Sequence, residues 1–389
     1  MKICIVTSTR ADWGLLMPLA KALRNGDGLE TAIVATNMHL MERFGMTVDE
    51  ITDAGFDVAA RVPMDIEGDD EASRVRAASL CMAGMADAFS QIKPDAVLLL
   101  GDRYEMLAVA SAAAIMRIPV IHIAGGAVSE GAVDDCIRHA ITKLSSLHLT
   151  ETEEYRRRVI QMGEQPDTVV NTGAIGVWNG RNITPVSKES LEEFLGMQLD
   201  GETAIVTYHP ATNDTSATPA EQVETMLDAI AQFPDLKCVI TYPNNDAGGA
   251  LTIPLLEKFA ATHPARVRLV PSLGMLRYQS MLKIASLVIG NSSSGIVEVP
   301  SAGIPTVDIG IRQQGRTAAQ SVIHCGNSCR DISEAISEAL SPAMKELAAK
   351  CENPYYRPDT LALMRNAVLK FMHSLPVAPK KFYNIDLNR

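Results

Sequence analysis

The sequence predicts an α/β protein of two doubly wound halves, each a sheet of parallel strands covered by helices on both faces. Three observations carry this. Apolar runs of strand length end repeatedly in polar residues and glycines, as in Val97-Leu98-Leu99-Leu100-Gly101-Asp102 and Ile118-Pro119-Val120-Ile121-His122-Ile123-Ala124-Gly125-Gly126. Helical patterns separate such runs, and the Ala-rich segment between these two makes a βαβ unit. The chain has 389 residues, more than the roughly 250 to 300 at which a single core stops growing. Two domains are therefore expected.

Composition narrows the class. With 47% hydrophobic and 21% charged residues, the cores can be large and disorder is not expected. A formal net charge of -11 excludes the wide basic face that nucleic acid requires, though not a local basic site for one small anion. The cysteines, Cys4, Cys81, Cys136, Cys238, Cys325, Cys329 and Cys351, are odd in number and scattered, and read as buried thiols in a reducing compartment. Cys325 and Cys329 have no second pair or histidines at zinc spacing, so no structural metal is expected. No apolar run approaches the roughly 20 residues that span a bilayer, and the reading is a soluble, cytoplasmic protein with no membrane partner.

Taken in order, Lys2 to Ser8 is an apolar strand leading into Thr9-Arg10-Ala11-Asp12-Trp13-Gly14 and a helix marked by Leu15, Leu16, Leu19 and Leu23. Backbone N–H groups at such a junction favour an anion, and Arg10 could add a charge-assisted bond to phosphate. Thr31 to Thr36 and Asp57 to Arg61 read as strands, Asp65 to Glu71 as an acidic mobile loop, and Ser73 to Ile92 as a long helix. The stretch from Val97 to Thr150 then sets the polar ends of parallel strands at one edge of a sheet. That edge is where open α/β proteins bind ligands, so Asp102, Arg103, His122, Asp134 and Arg138 are expected to converge.

After the strand Ser146 to Thr150, Glu153/Arg157 and Glu154/Arg158 have the i,i+4 spacing of a solvated helix face. Thr168 to Asn171 closes the first half, and the polar stretch from Gly173 to Asp200, with one helical run around Leu191 to Leu195, reads as a linker. Strands follow at Thr203 to Tyr208, Leu236 to Thr241, Arg266 to Val270, Leu287 to Gly290 and Thr306 to Ile309, with helical runs including Glu221 to Gln232 and Gly274 to Ile284. The domains are placed at 1–175 and 176–370, with a tail at 371–389. A last helix, Asp359 to His373, hints at a return to the first half.

Two loops of the second half carry candidate chemistry. His209, in His209-Pro210-Ala211-Thr212, stands at the carboxyl end of a strand. It can act there as an acid or base, the other reading being a structural hydrogen-bonding histidine. Asn291-Ser292-Ser293-Ser294-Gly295 follows a strand and opens a helix; hydroxyls there ordinarily cap, but a Gly-flanked triple serine suits a phosphate approaching the backbone. Glu298 lies one helical turn on and could accept both hydroxyls of a ribose, and Arg312 and Arg316 could meet a diphosphate. A P-loop is excluded, since no Gly-x-x-x-x-Gly-Lys-Ser run exists.

Gly101-Asp102-Arg103-Tyr104-Glu105, His122-Ile123-Ala124-Gly125-Gly126, Asp135-Cys136-Ile137-Arg138-His139-Ala140-Ile141-Thr142-Lys143, Asn291-Ser292-Ser293-Ser294-Gly295 and Arg312-Gln313-Gln314-Gly315-Arg316 occur in that order. Together they resemble the hydrolysing UDP-N-acetylglucosamine 2-epimerases of sialic acid biosynthesis, from the Arg10 loop to at least Arg316. The resemblance implies a GT-B fold, two Rossmann-like domains facing each other across a cleft, the first on the sugar side and the second on the nucleotide side. It implies no metal or redox cofactor, a nucleotide-sugar substrate, most simply UDP-linked, and self-association as a homodimer or homotetramer. The implied reaction eliminates UDP from UDP-N-acetylglucosamine to give a glycal, then adds water with inversion at C2, releasing N-acetylmannosamine. Asp102 and Asp134 match acidic positions of the family and are assigned to proton transfer; His209 matches its His-Pro motif. Arg10, Ser292, Ser293 and Arg312 match phosphate-binding positions and Glu298 the ribose ligand. Arg103, Arg138, Asn244 and Asp246 complete the expected substrate contacts.

One segment departs from the pattern. Family members commonly carry acidic residues in the His-Ile-x-Gly-Gly-x segment, where this chain has Ala124 and Ala127. Either Glu130 or Asp135 covers the missing role, or the sugar differs, or the chain has been deliberately disabled. The alternatives are a 2-epimerase of a UDP- or GDP-linked 2,4-diacetamido-trideoxyhexose in legionaminic acid synthesis, a GT-B glycosyltransferase, or an inactive nucleotide-sugar binder.

Overall fold

The computed structural model describes residues 1–24, 28–64, 68, 70–211, 213–244, 248–376 and 379–385. The chain forms two compact units. The first comprises Met1–Ala127, Asp134–Trp178 and Arg357–Arg389, the second Val128–Val133 and Asn179–Tyr356.

The first unit holds β1 (Lys2–Thr7), β2 (Glu30–Thr36), β3 (Val58–Val62), β4 (Ala96–Leu100), β5 (Val120–Ile123), β6 (Leu147–Thr150) and β7 (Val169–Asn171). All pair in parallel, in the order β3-β2-β1-β4-β5-β6-β7. Side chains of a strand alternate between faces, and both faces are covered, which is why the strands read as continuous apolar runs. Ile3 and Ile5 of β1 pack with the helices Arg10–Arg24 and Thr360–His373, while Cys4 and Val6 pack with Glu71–Ile92 and Tyr104–Ile115. The order reverses direction between β1 and β4, and ligands of such sheets bind at that switch point, outside the carboxyl ends.

The second unit repeats the plan with β8 (Thr203–Thr207), β9 (Lys237–Thr241), β10 (Val267–Val270), β11 (Leu287–Gly290), β12 (Thr306–Ile309) and β13 (Val322–Cys325), all parallel in the order β10-β9-β8-β11-β12-β13. Its switch point lies between β8 and β11. Strand β13 escapes the sequence reading because it is an edge strand of four residues with exposed His324, and offers no apolar run.

Several boundaries differ from expectation. The second unit ends at Tyr356 instead of residue 370. The closing helix Thr360–His373 belongs to the first unit, where Met364, Val368 and Met372, at i,i+4 spacing, are fully buried and Arg365 Nε donates to the carbonyl of Ala22 at 3.0 Å. The expected linker is largely structured: the helix Lys188–Leu195, capped by Ser187, buries Leu191 and Leu195 in the second core together with Met197 and Leu199. The acidic stretch 65–71 falls partly outside the described residues. The pairs Glu153–Arg157 and Glu154–Arg158 form at 3.6 and 2.7 Å on a partly exposed helix face. Among the described residues no helix is long and apolar enough to cross a membrane.

The C-terminal tail docks on the first unit through buried charge. Lys380 Nζ donates to the carbonyls of Lys143 and Ser145, each at 2.7 Å, and lies 2.8 Å from Glu164 Oε2. Glu164 also meets Lys143 at 2.6 Å and His148 at 3.0 Å. Burial alone would raise this carboxyl, but the bonds from His148, Lys143 and Lys380 overcome it and hold the group down at about 2. Burial also lowers His148, and it pushes fully buried His122 down to about 3. In the unfolded chain both histidines titrate near 6.5 and Glu164 near 4.5. All three groups therefore bind more protons when unfolded, so stability falls as pH falls: first below about 6.5 through the histidines, then from about 4.5 to about 2 through Glu164. The urea midpoint should decline steadily between about pH 7 and about pH 4; a flat profile over that interval would contradict the assignment of two buried neutral histidines.

Candidate active site

At the switch point of the first sheet the chain leaves β4 through Gly101, whose φ of +87° a β-carbon would strain. Asp102 follows. Its Oδ2 accepts from Arg138 Nε at 2.8 Å and from Arg138 Nη2. Arg138 rises from the helix Asp134–Leu144, is only 1% exposed, and also donates through Nη1 to the carbonyl of Ala127 at 2.9 Å and to Asp135 at 3.2 Å. A buried guanidinium with carboxylates on two sides fixes the direction of both. Arg138, expected to bind substrate, is engaged with Asp102, Asp135 and the Ala127 carbonyl.

The other residues expected to converge here take different parts. His122 Nε2 lies 2.8 Å from the carbonyl of Gly101, which can only accept, so this nitrogen carries the proton; Nδ1 faces Thr142 Oγ1 at 3.3 Å. Neutral and fully buried, His122 supports the turn before Asp102 and does not titrate near neutrality. Arg103 Nε donates to fully buried Glu105 at 2.7 Å. Asp134 begins its helix half-buried beside Asp135, in the first turn where the helix dipole favours a carboxylate. Ala127 is buried and contributes its carbonyl; Ala124 adopts φ +69°.

The loop after β1 departs from expectation. The backbone N–H groups of Ser8 and Thr9, expected to meet an anion, donate to Asp12 at 2.8 and 2.6 Å. The protein's own carboxylate occupies the helix start. Arg10 pairs with Glu50 at 2.6 Å, both partly exposed. Burial raises the Glu50 carboxyl and Arg10 opposes the shift.

In the second unit, the switch point gathers the loops after β8, β9, β11 and β12. His209 Nδ1 accepts from the backbone N–H of Asn244 at 3.0 Å. An N–H can only donate, so the neutral imidazole keeps its proton on Nε2 and presents a donor. Asn244 thus enters through its backbone; Asp246 lies outside the described residues. Asn291, 1% exposed, bonds twice to the His209 backbone, accepting from its N–H at 2.7 Å and donating to its carbonyl at 2.8 Å. The carbonyl of Asn291 accepts from Arg312 Nη1 at 3.2 Å and Gln313 Nε2 at 2.8 Å. Arg312 is 8% exposed.

The serines divide. Ser292 stands at the N-cap of a short helix without a capping bond from its side chain, and Ser293 is exposed. Ser294 is taken up internally: Tyr278 OH lies 2.6 Å from its Oγ, which donates to Glu298 Oε2 at 2.5 Å. Burial raises the Glu298 carboxyl and the Ser294 hydroxyl opposes it. Glu130, expected among the catalytic carboxylates, belongs to the second unit: its N–H donates to the carbonyl of Gln314 at 3.0 Å, and its carbonyl accepts from Asn213 Nδ2 at 3.0 Å. Its side chain is exposed. Sequence reasoning missed Tyr278, and took Glu105, Gln313 and Asn291 only as parts of motifs. Tyr278 has no signal at all, since it reaches Ser294 from a separate helix.

The family model described as UDP-N-acetylglucosamine 2-epimerase matches residues 21–368. A Campylobacter jejuni protein named GDP/UDP-N,N'-diacetylbacillosamine 2-epimerase (hydrolyzing) is 38% identical over 345 residues, 89% of each chain. The UDP-N-acetylglucosamine 2-epimerase of Neisseria meningitidis serogroup B is 33% identical over 342 residues, 87% of this chain and 88% of that one. Among solved structures, the UDP-GlcNAc 2-epimerase from Neisseria meningitidis bound to UDP-GlcNAc superposes with a TM-score of 0.77 at 19% identity, covering 95% of this chain and 100% of that one, and shares its GT-B-type fold. A family match over most of the length and a relative 38% identical over 89% of each chain lead to one conclusion: the chain belongs to the UDP-N-acetylglucosamine 2-epimerase family.

Proposed function

We propose that the protein is a hydrolysing nucleotide-sugar 2-epimerase and that its sugar is a 2,4-diacetamido-trideoxyhexose carried on UDP or GDP. The observation that carries the reaction class is Asp102, a carboxylate held by a buried arginine at the switch point of the first sheet. Support for the sugar comes from the relatives: the one at 38% identity is named for diacetylbacillosamine, the one at 33% for UDP-N-acetylglucosamine. This reverses the order reached from the sequence alone, which put UDP-N-acetylglucosamine first. Ala127 agrees with a changed sugar pocket, because an alanine can neither take a proton nor hold a charge.

In this reading Asp102 removes the C2 proton. The C1–O bond breaks with its electron pair passing to the diphosphate, leaving a C1=C2 glycal. Water then supplies a hydroxyl to C1 and a proton to the opposite face of C2, with Asp134 as the second proton-transfer group. The nucleotide is assigned to the second unit. There the Nε2–H of His209 and the Arg312 guanidinium stabilise charge on the departing diphosphate, Ser292 and Ser293 contact phosphate, and Glu298 takes the ribose. Arg10 and Arg103 are further phosphate and sugar contacts, and Arg10 must leave Glu50 to act.

The test offers UDP-N,N'-diacetylbacillosamine, its GDP counterpart and UDP-N-acetylglucosamine to the protein in heavy water. The expected result is release of the nucleoside diphosphate from a diacetamido sugar, with deuterium at C2 of the epimerised product. Faster turnover of UDP-N-acetylglucosamine to labelled N-acetylmannosamine would restore that substrate. Sugar transfer to an acceptor, or binding without turnover, would overturn the epimerase reading.

A further inference from the structure

We propose that Asn291 is the positioning residue for His209, its side chain serving as one additional rung of the β8–β11 ladder beyond the strand ends. The inference rests on the reading of His209 as a hydrogen-bond donor in the proposed reaction. Strands β8 and β11 are neighbours at the switch point, and their register ends at Thr207 opposite Gly290. Beyond it the Asn291 amide offers a donor and an acceptor, and His209 uses both through its own backbone, at 2.7 and 2.8 Å. A carboxamide supplies that donor and acceptor side by side; a carboxylate supplies acceptors alone and a methyl group neither.

The geometry is built for this. Gly290 takes φ +137°, and a β-carbon there would fall 1.9 Å from the Thr207 carbonyl oxygen, so only glycine lets the chain run close enough for Asn291 to reach across. Pro210 has no N–H, so the His209 N–H is the last donor the backbone of β8 offers before its loop turns. At 1% exposure, the Asn291 amide has no alternative in solvent. The Asn291 carbonyl, by accepting from Arg312 and Gln313, joins the loops after β11 and β12 to the His209 loop. With its backbone clamped, the His209 ring stays against the Asn244 N–H, and its proton stays on Nε2. Displacing a reacting group by about 1 Å can cost about 10²-fold in rate.

The experiment compares Asn291→Ala, His209→Ala and the double variant. Asn291→Ala is expected to lower kcat by about 10- to 100-fold with little change in KM, and to add no further loss in the His209→Ala background. Retained kcat in the single variant, or losses that multiply in the double variant, would overturn the proposal. The full chain with 15N-labelled histidine gives a second readout without substrate, the His209 signals being assigned by their absence in His209→Ala. The wild-type ring should show a bare Nδ1 and a protonated Nε2. Asn291→Asp keeps the side-chain volume but loses the donor to the His209 carbonyl, and should move the ring toward mixed tautomers; an unchanged ring spectrum would overturn the clamp. Because this readout needs no turnover, failure of the clamp is distinguishable from failure of the epimerase reading, which fails if the wild-type chain turns over no nucleotide sugar.

Discussion

Asp102→Asn is expected to lower turnover by about 10² to 10⁴-fold, the range that a positioned proton-transfer group contributes, while leaving the fold intact. Both donors of Arg138 meet the same oxygen of Asp102. An asparagine that turns its carbonyl oxygen toward Arg138 can keep those bonds and lose only the ability to take a proton. The check is mass spectrometry of the product formed in heavy water, with a melting curve alongside: the rate at which C2-deuterated product accumulates should fall by that factor while the melting temperature stays close to wild type. A wild-type rate of labelling in the variant would remove Asp102 from the proposed proton transfer.

Arg138→Met should act on stability as well as rate. The guanidinium is 1% exposed, and its removal leaves Asp102 and Asp135 without their shared counter-ion and the Ala127 carbonyl without its donor. Breaking a buried pair from one side costs about 3–5 kcal/mol. The low end applies here, because the two carboxylates remain 23% and 29% exposed and recover some hydration. For a unit of this size that is a melting temperature lower by about 6–12 °C. Since the side chain is buried under Asp102, kcat should fall with KM little changed, and Arg138→Lys should restore charge without the fork and recover only part of both losses. A large rise in KM at constant kcat would return Arg138 to the substrate contacts expected from the sequence.

The strands were legible because both faces of each parallel sheet are covered. Runs such as Val97 to Leu100 and Leu287 to Gly290 carry that demand in their composition. The turn glycines and the polar residues behind them marked the carboxyl edges of the sheets, and Asp102 and His209 do stand just past the ends of switch-point strands. Strand β13 was hidden by its length and exposed edge, while the helix Lys188–Leu195 showed as a helical run around Leu191 to Leu195 whose place in the second unit's core a polar background concealed. The place of Glu130 was hidden as well. Its sequence neighbourhood belongs to the first sheet, but the backbone bonds that hold it, to Gln314 and Asn213, join residues more than eighty positions away.

What the order of residues established without coordinates is the α/β class, the two sheets, their carboxyl edges and the family resemblance, because local periodicity and short motifs encode these within a few turns of chain. What tertiary structure alone decided is which polar groups are buried and bonded to distant segments and which stay partly exposed at the sheet edges. Arg138, His122 and Asn291 are polar in the sequence exactly as Asp102 and His209 are. Only burial, and partners brought in from distant segments, turn the first three inward and leave the other two partly exposed past the strand ends.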